Sequence, residues 1–323
     1  MKKILFTVIV SGLIASSIFI ESCSNRKGKT NAKGNLSGQI SLSGAFALYP
    51  LAVKWAQDFE KLHPDVKIDV SAGGAGKGIT DALTDAVDLG MVSREVAPEE
   101  KTKGAVAFAV AKDAVVPTIN ARNPEINLLL QKGLKKEQAQ GLWIKGNIKT
   151  WGEISGNSAK NGVHVYTRSD ACGAAETWAK WLGKKQEDLK GTAVFGDPGV
   201  AKAVQDDKLG IGLNNISYVY NEKTGKPNPG IKVIPIDVNN NGKIDPEESF
   251  YDTKATFIQA VAKGKYPSPP ARDLYLVAHK TPTKPEVIAF IKYILTEGQK
   301  LNEPLGYISL SKDKLQAGLK LLK

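Results

Sequence analysis

The sequence predicts an α/β fold in two lobes, each a mostly parallel sheet flanked by helices. Three observations lead there. Apolar or alternating stretches of strand length take turns with stretches of helical period along most of the chain, the pattern of sheets crossed by helices. One unit, a strand followed by a small-residue loop and a helix, occurs over residues 66–83 and again over 163–182. The length of 323 residues leaves room for two such lobes once a leader is removed.

The leader comes first. Met1-Lys2-Lys3 precedes a long apolar run over residues 4–20, which ends at Ile20-Glu21-Ser22-Cys23-Ser24. A basic start, an apolar middle and a small residue at the cut make an export signal. With cysteine just after the cut, it looks like a bacterial lipoprotein signal: residues 1–22 are removed and Cys23 is lipidated. Ser11, Gly12, Ser16 and Ser17 weaken the other reading, a retained membrane span. Residues 23–36 are polar and read as a flexible tether. The chain is therefore expected to be exported and membrane-anchored, periplasmic or at the cell surface.

Lobe 1 is expected over residues 37–116 plus 272–323. Gln39-Ile40-Ser41-Leu42-Ser43-Gly44 alternates and reads as a strand running into a loop. Leu51, Trp55, Phe59 and Leu62 share one helical face, and His63-Pro64 ends that helix. Val66-Lys67-Ile68-Asp69-Val70 is the next strand. Gly73-Gly74-Ala75-Gly76-Lys77-Gly78 then turns the chain into a helix carrying Ile79 and Leu83. Successive amides at a helix N-terminus are orphan donors at the positive end of the macrodipole, so this loop is a candidate anion seat. Lys77 adds a mobile charge. The loop matches neither nucleotide-binding glycine pattern. Leu89-Gly90-Met91-Val92 reads as a buried strand ending at Ser93-Arg94, and residues 105–116 are β-rich with Lys112-Asp113 interrupting them.

Lobe 2 is expected over residues 117–271. Residues 128–142 look like one helix. The strand at 163–168 runs into Ser169-Asp170-Ala171-Cys172-Gly173-Ala174, and a helix follows to Leu182, closed by Gly183. Strands are expected at 209–213 and 231–236, and helices at 199–205 and 253–262. After the stiff connector Pro267-Ser268-Pro269-Pro270, residues 274–278 lead back to lobe 1 as a strand. Two amphipathic helices, 285–298 and 312–322, close the chain.

Within lobe 2, residues 237–248 fit a twelve-residue calcium loop. Asp237, Asn239, Asn241, Asp245 and Glu248 supply side-chain oxygens, Lys243 supplies a carbonyl, and Gly242 holds the sixth place. A Ca²⁺ there would be structural and weakly held. The alternative is a polar turn. No organic cofactor is expected.

The formal net charge is +11, which suits an anionic solute, a nucleic acid or a membrane surface. No aromatic-basic RNA motif or zinc-finger spacing occurs, so no nucleic acid is expected. Cys23 and Cys172 are the two cysteines. With Cys23 lipidated, no internal disulfide is possible.

Tyr49-Pro50-Leu51-Ala52-Val53-Lys54-Trp55, then residues 73–78, then residues 87–94, then Thr167-Arg168-Ser169-Asp170-Ala171-Cys172-Gly173 occur in the order seen in phosphate-binding proteins of bacterial ABC importers. Gly210-Ile211-Gly212, Tyr218-Val219-Tyr220 and Tyr266-Pro267 also fit. The chain resembles that family over most of residues 39–311. The resemblance implies a two-lobed periplasmic-binding-protein fold of type II, with two crossovers and a cleft that closes on an oxyanion. It implies a monomer that binds phosphate or an analogue and hands it to an ABC permease.

Carried onto this chain, the site is the loop Gly44, Ala45 and Phe46, the loop Gly74, Ala75, Gly76, Lys77 and Gly78, the strand end Ser93 and Arg94, and Arg168 with Cys172, Gly173 and Ala174. Several positions depart from the family. Ala45-Phe46-Ala47 stands where hydroxyls are usual, Ala75 where a serine is, Cys172 and Ala174 where a serine and a threonine are, and Arg94 where many members have aspartate. Arg168 is the expected anion grip, since its planar fork suits two oxygens at once. Its other reading is a salt bridge with Asp170. Cys172 lies near a cation at a helix N-terminus, which would lower its pKa and allow a cysteine-dependent enzyme. An anion-sensing or surface lipoprotein without a transport role is the remaining alternative.

Overall fold

The computed structural model describes residues 35–323. The leader, Cys23 and most of the tether lie outside the described residues. Among the described residues nine strands follow one another as β1 (Gly38–Gly44), β2 (Val66–Ala72), β3 (Leu89–Val92), β4 (Ala105–Asn120), β5 (His164–Arg168), β6 (Thr192–Val194), β7 (Gly210–Asn215), β8 (Ile231–Val233) and β9 (Ala271–His279). Their order in space is β2-β1-β3-β9-β4-β7-β5-β6, with β8 also pairing with β4. Pairing is parallel away from the centre, at β1/β2, β1/β3, β5/β6 and β5/β7. It is antiparallel wherever β4 or β9 takes part, because these two strands run between the lobes in opposite directions.

Each lobe has its own apolar core, the arrangement expected of two folding units. Val110 and Ala111 of β4 belong to the first core, and Ala114 and Val115 to the second. The passage on that strand therefore falls on Lys112-Asp113, the break in the apolar run. On β9 it falls between Ala271 and Leu274. Both strand–loop–helix units form: β2 leads to the helix Ala75–Leu83, and β5 leads to the helix Gly173–Trp181. Among the described residues no helix is long and apolar enough to cross a membrane.

Several local expectations change. The single helix at 128–142 is instead Ile126–Lys132, Lys136–Gln140 and a π-helical turn at Gly141–Lys145. Gly133 takes φ +71°, and the Leu134 amide donates to the Pro235 carbonyl at 2.7 Å. Pairing with a distant segment thus outcompetes the local helical pattern. The helix beginning at Pro285 ends at Leu295 and passes into a tighter turn at Glu297–Leu301. Leu62, at the frayed end of the helix Tyr49–Leu62, is 58% exposed although Leu51, Trp55 and Phe59 on the same face are buried. Strand β6, only three residues long, carried no legible period.

Candidate functional site

The two small-residue loops meet between the lobes. Gly74 caps the helix Ala75–Leu83 with φ +92°, a conformation that disfavours any side chain. The Gly73 and Gly74 amides donate to the Gly44 carbonyl at 2.8 and 3.0 Å, which ties this loop to the end of β1. The Gly76 amide crosses the cleft and donates to the Ala171 carbonyl at 2.9 Å. Beside it, Gly173 lies against the end of β3. A Cβ on Gly173 would fall 2.1 Å from the Ser93 carbonyl oxygen and 2.4 Å from its Oγ. Glycine at position 173 is what lets the lobes touch. Gly44, Ala45, Ala75, Gly78, Ser93 and Ala174 are all buried around this contact.

Arg168 ends β5 with 5% of its surface exposed. Its Nε and Nη2 donate to the Asp170 carboxylate at 2.8 and 2.6 Å, and its Nη1 donates to Asp197 at 2.5 Å. Burial works against the guanidinium charge, but Asp197 and Asp170 outweigh it and raise its pKa further. The guanidinium also lies over the Phe46 ring, 5.6 Å from its centroid. Phe46 packs edge-on against Phe195 of the other lobe at 5.7 Å, and Tyr218 Oη donates to its carbonyl at 2.9 Å. The salt bridge with Asp170 is thus present, and a second carboxylate adds to it.

The structure does not bring the other two cations to this point. Lys77 pairs with Asp81 one turn along its own helix, about half exposed, and Ser43 Oγ donates to the same carboxylate at 2.6 Å. Arg94 turns away from the glycine loop. It forks onto Glu100 at 2.8 and 2.7 Å and reaches Glu176 of the second lobe at 3.0 Å. Cys172 also differs from expectation. It caps the helix Gly173–Trp181, its Sγ accepting from the Ala175 amide at 3.4 Å. Burial pushes the thiol up to about 12, overcoming the pull of Arg168. It is a buried cap, not an activated nucleophile. His164 binds Asp207 at 2.7 Å and does not approach it.

A connected set of buried polar groups escaped the sequence reading. Asp197 Oδ1 accepts from the Asn215 amide and side chain at 3.2 and 2.7 Å. Asn215 Oδ1 in turn accepts from Arg272 Nη2. Arg272 Nε donates to the Ser93 carbonyl at 3.1 Å, and its Nη1 lies 3.4 Å from Asp113. The line Asp113, Arg272, Asn215, Asp197, Arg168 therefore runs from the interlobe strands to the cleft. Its only sequence signals were polar residues at the ends of apolar strands, as in Asn214-Asn215.

Burial pushes the Asp113 carboxyl up to about 7, against the pull of Arg272. Native Asp113 then holds a proton across an interval in which the unfolded chain, near the ordinary 3.8, has released it. Its stabilising contribution is full below that interval and is lost as pH rises through about 7. Asp113→Asn should therefore melt with a flatter pH dependence than wild type between the ordinary 3.8 and about 7. Parallel curves for the two chains in a scan of melting temperature against pH would refute this.

In the loop at 237–248 the carboxylates face backbone amides. Asp237 accepts from Asn241 and Gly242 at 3.1 and 2.8 Å. Glu248 accepts from Val238, Asn239 and Asp245 at 2.8, 3.3 and 3.1 Å. The Asn239 and Asn241 side-chain nitrogens donate to Asp245 at 2.9 and 2.7 Å, and Lys243 pairs with Asp245 at 3.0 Å. Among the described residues no three His, Cys, Asp or Glu side chains converge on one point.

Comparison with known proteins places this geometry. Phosphate-binding protein PstS of Bacillus subtilis (strain 168) is 30% identical over 203 residues, which span 62% of this chain and 65% of that protein. Phosphate-binding protein PstS of Pseudomonas aeruginosa (strain PAO1) is 27% identical over 310 residues, 89% of this chain and 88% of that protein. Among solved structures, a putative phosphate ABC transporter substrate-binding protein with bound phosphate from Clostridium perfringens shares the fold. Its TM-score is 0.69 at 23% identity, covering 85% of this chain and 100% of that one. Residues 29–297 match the PBP superfamily domain. With a two-lobed fold, paired interlobe strands and a cleft closed by two small-residue loops, the chain belongs to the PBP superfamily.

Proposed function

We propose that the chain is an exported, lipid-anchored solute-binding protein that holds a phosphate-like oxyanion between its lobes and delivers it to an ABC importer. The observation that carries this is the meeting of residues 73–78 with residues 168–174 across the cleft, with the buried guanidinium of Arg168 behind them. Opening the lobes frees the Gly76 amide from the Ala171 carbonyl. An incoming anion takes that donor and a second amide at the same helix end, where Arg168, held by Asp170 and Asp197, fixes the facing loop. The relatives, phosphate-binding proteins of two bacteria, support the ligand class. The protein is a binder and not an enzyme, and its Cys172 caps a helix. Calorimetric titration of the exported domain with phosphate, sulfate and molybdate tests the reading. Binding of one of them at a single site supports it, and heat-silent titrations with all three overturn it. Anchoring is tested separately, because Cys23→Ser should leave the chain uncut or free of membranes; normal processing with full membrane retention would exclude the lipid.

The loop at 237–248 is proposed to take one Ca²⁺ for stability. Gly242 and Asn240 adopt φ +84° and +64°, the turn such a loop needs. Rotating the Asn239 and Asn241 carboxamides exchanges nitrogen for oxygen toward Asp245. The melting temperature should then rise as calcium enters the millimolar range and fall back with EDTA. A melt indifferent to both removes the ion from the account.

A further inference from the structure

A second interlobe cavity, of about 420 Å³, begins one residue beyond the Ser93–Gly173 contact. Arg94, Lys112, Lys180, Arg272 and Lys314 all line it. They come from both lobes and from the two strands that join them. Three carboxylates, Glu95, Glu176 and Asp273, share the wall. Glu100 and Asp113 stand behind Arg94 and Arg272, so carboxylates match cations in formal charge, and what attracts an anion is the lysines that project into the cavity.

Of the remaining cations, Lys180 and Lys112 are the least committed. Lys180 faces Glu95 at 3.5 Å with both side chains mostly exposed, a geometry that contributes little. Lys314 pairs with Asp273 while about half exposed. Lys112, on β4 between the two cores, is absent from the ion pairs among the described residues, while its neighbour Asp113 pairs with Arg272. A cavity of this size is in the range that holds small organic ligands, and a bare monatomic or tetrahedral ion would leave most of it unfilled.

We infer that this cavity is a second anion site, taking a small organic anion that bridges the lobes through Lys112, Lys180 and Lys314. The Thr177 hydroxyl, on the same wall, supplies a neutral donor. Because the walls belong to both lobes, an anion there favours the closed arrangement. It should tighten binding in the cleft by the same factor that cleft binding tightens it.

The test uses succinate and glycerol 3-phosphate as probes, titrated calorimetrically into protein already saturated with phosphate. At least one should bind wild type, and Lys112→Glu should weaken that binding by tenfold or more. Lys314→Ala, which changes an exposed residue, should weaken it several-fold and guards against a folding defect in the first variant. Binding by one probe alone tells a carboxylate site from a phosphoester site. Absence of binding by both probes, displacement of the probe by phosphate, or equal affinity in wild type and both variants would each overturn the proposal.

Discussion

Arg168→Ala is expected to destabilise the protein by about 3–5 kcal/mol and to remove measurable phosphate binding. The stability loss follows from burial. Asp170 and Asp197 both aim at the guanidinium, and their side chains are only 7% and 1% exposed. Taking the cation away strands two carboxylates in a low-dielectric interior, and breaking a buried pair in this way costs about that much. The defect should spread along the buried line, because Asp197 also holds Asn215, and Asn215 holds Arg272. Arg168→Lys restores a charge but not the fork, so it should recover part of the stability and little of the affinity. Chemical denaturation and phosphate calorimetry on the three chains separate the two effects. If Arg168→Ala were as stable as wild type and bound phosphate equally well, the cleft would be wrongly placed.

Gly173→Ala should have the opposite signature: near-normal stability with phosphate affinity lowered at least 100-fold. The added Cβ would sit 2.1 Å from the Ser93 carbonyl oxygen, a backbone atom at the end of β3 that cannot swing aside. Gly173 occupies the first turn of its helix, where alanine is well tolerated. Each lobe can therefore fold around its own core, but the two cannot come together. Small-angle scattering should show a chain more extended than wild type that phosphate fails to compact. A variant that closes and binds like wild type would show that the Ser93–Gly173 contact is dispensable.

The sequence by itself determined most of the strands and helices in their order, both strand–loop–helix units and the buried face of Leu51, Trp55 and Phe59. These rest on local rules, since apolar period and small-residue turns act over a few residues. The passage between lobes is expected after residue 116, whereas the two cores meet at Lys112-Asp113. The sequence could not determine which charges meet. Arg168 was legible as a cation at a loop, yet its partner Asp197 lies 29 residues away, and Arg272 joins the line only because β9 returns beside β4. Lys77 and Arg94 looked equally available, and tertiary structure gave one to Asp81 and the other to Glu100 and Glu176. For Cys172 the sign of the effect itself changed, because burial outweighed the nearby cation. Charge pairing and desolvation depend on distance and dielectric in the folded chain, which no spacing along the sequence encodes.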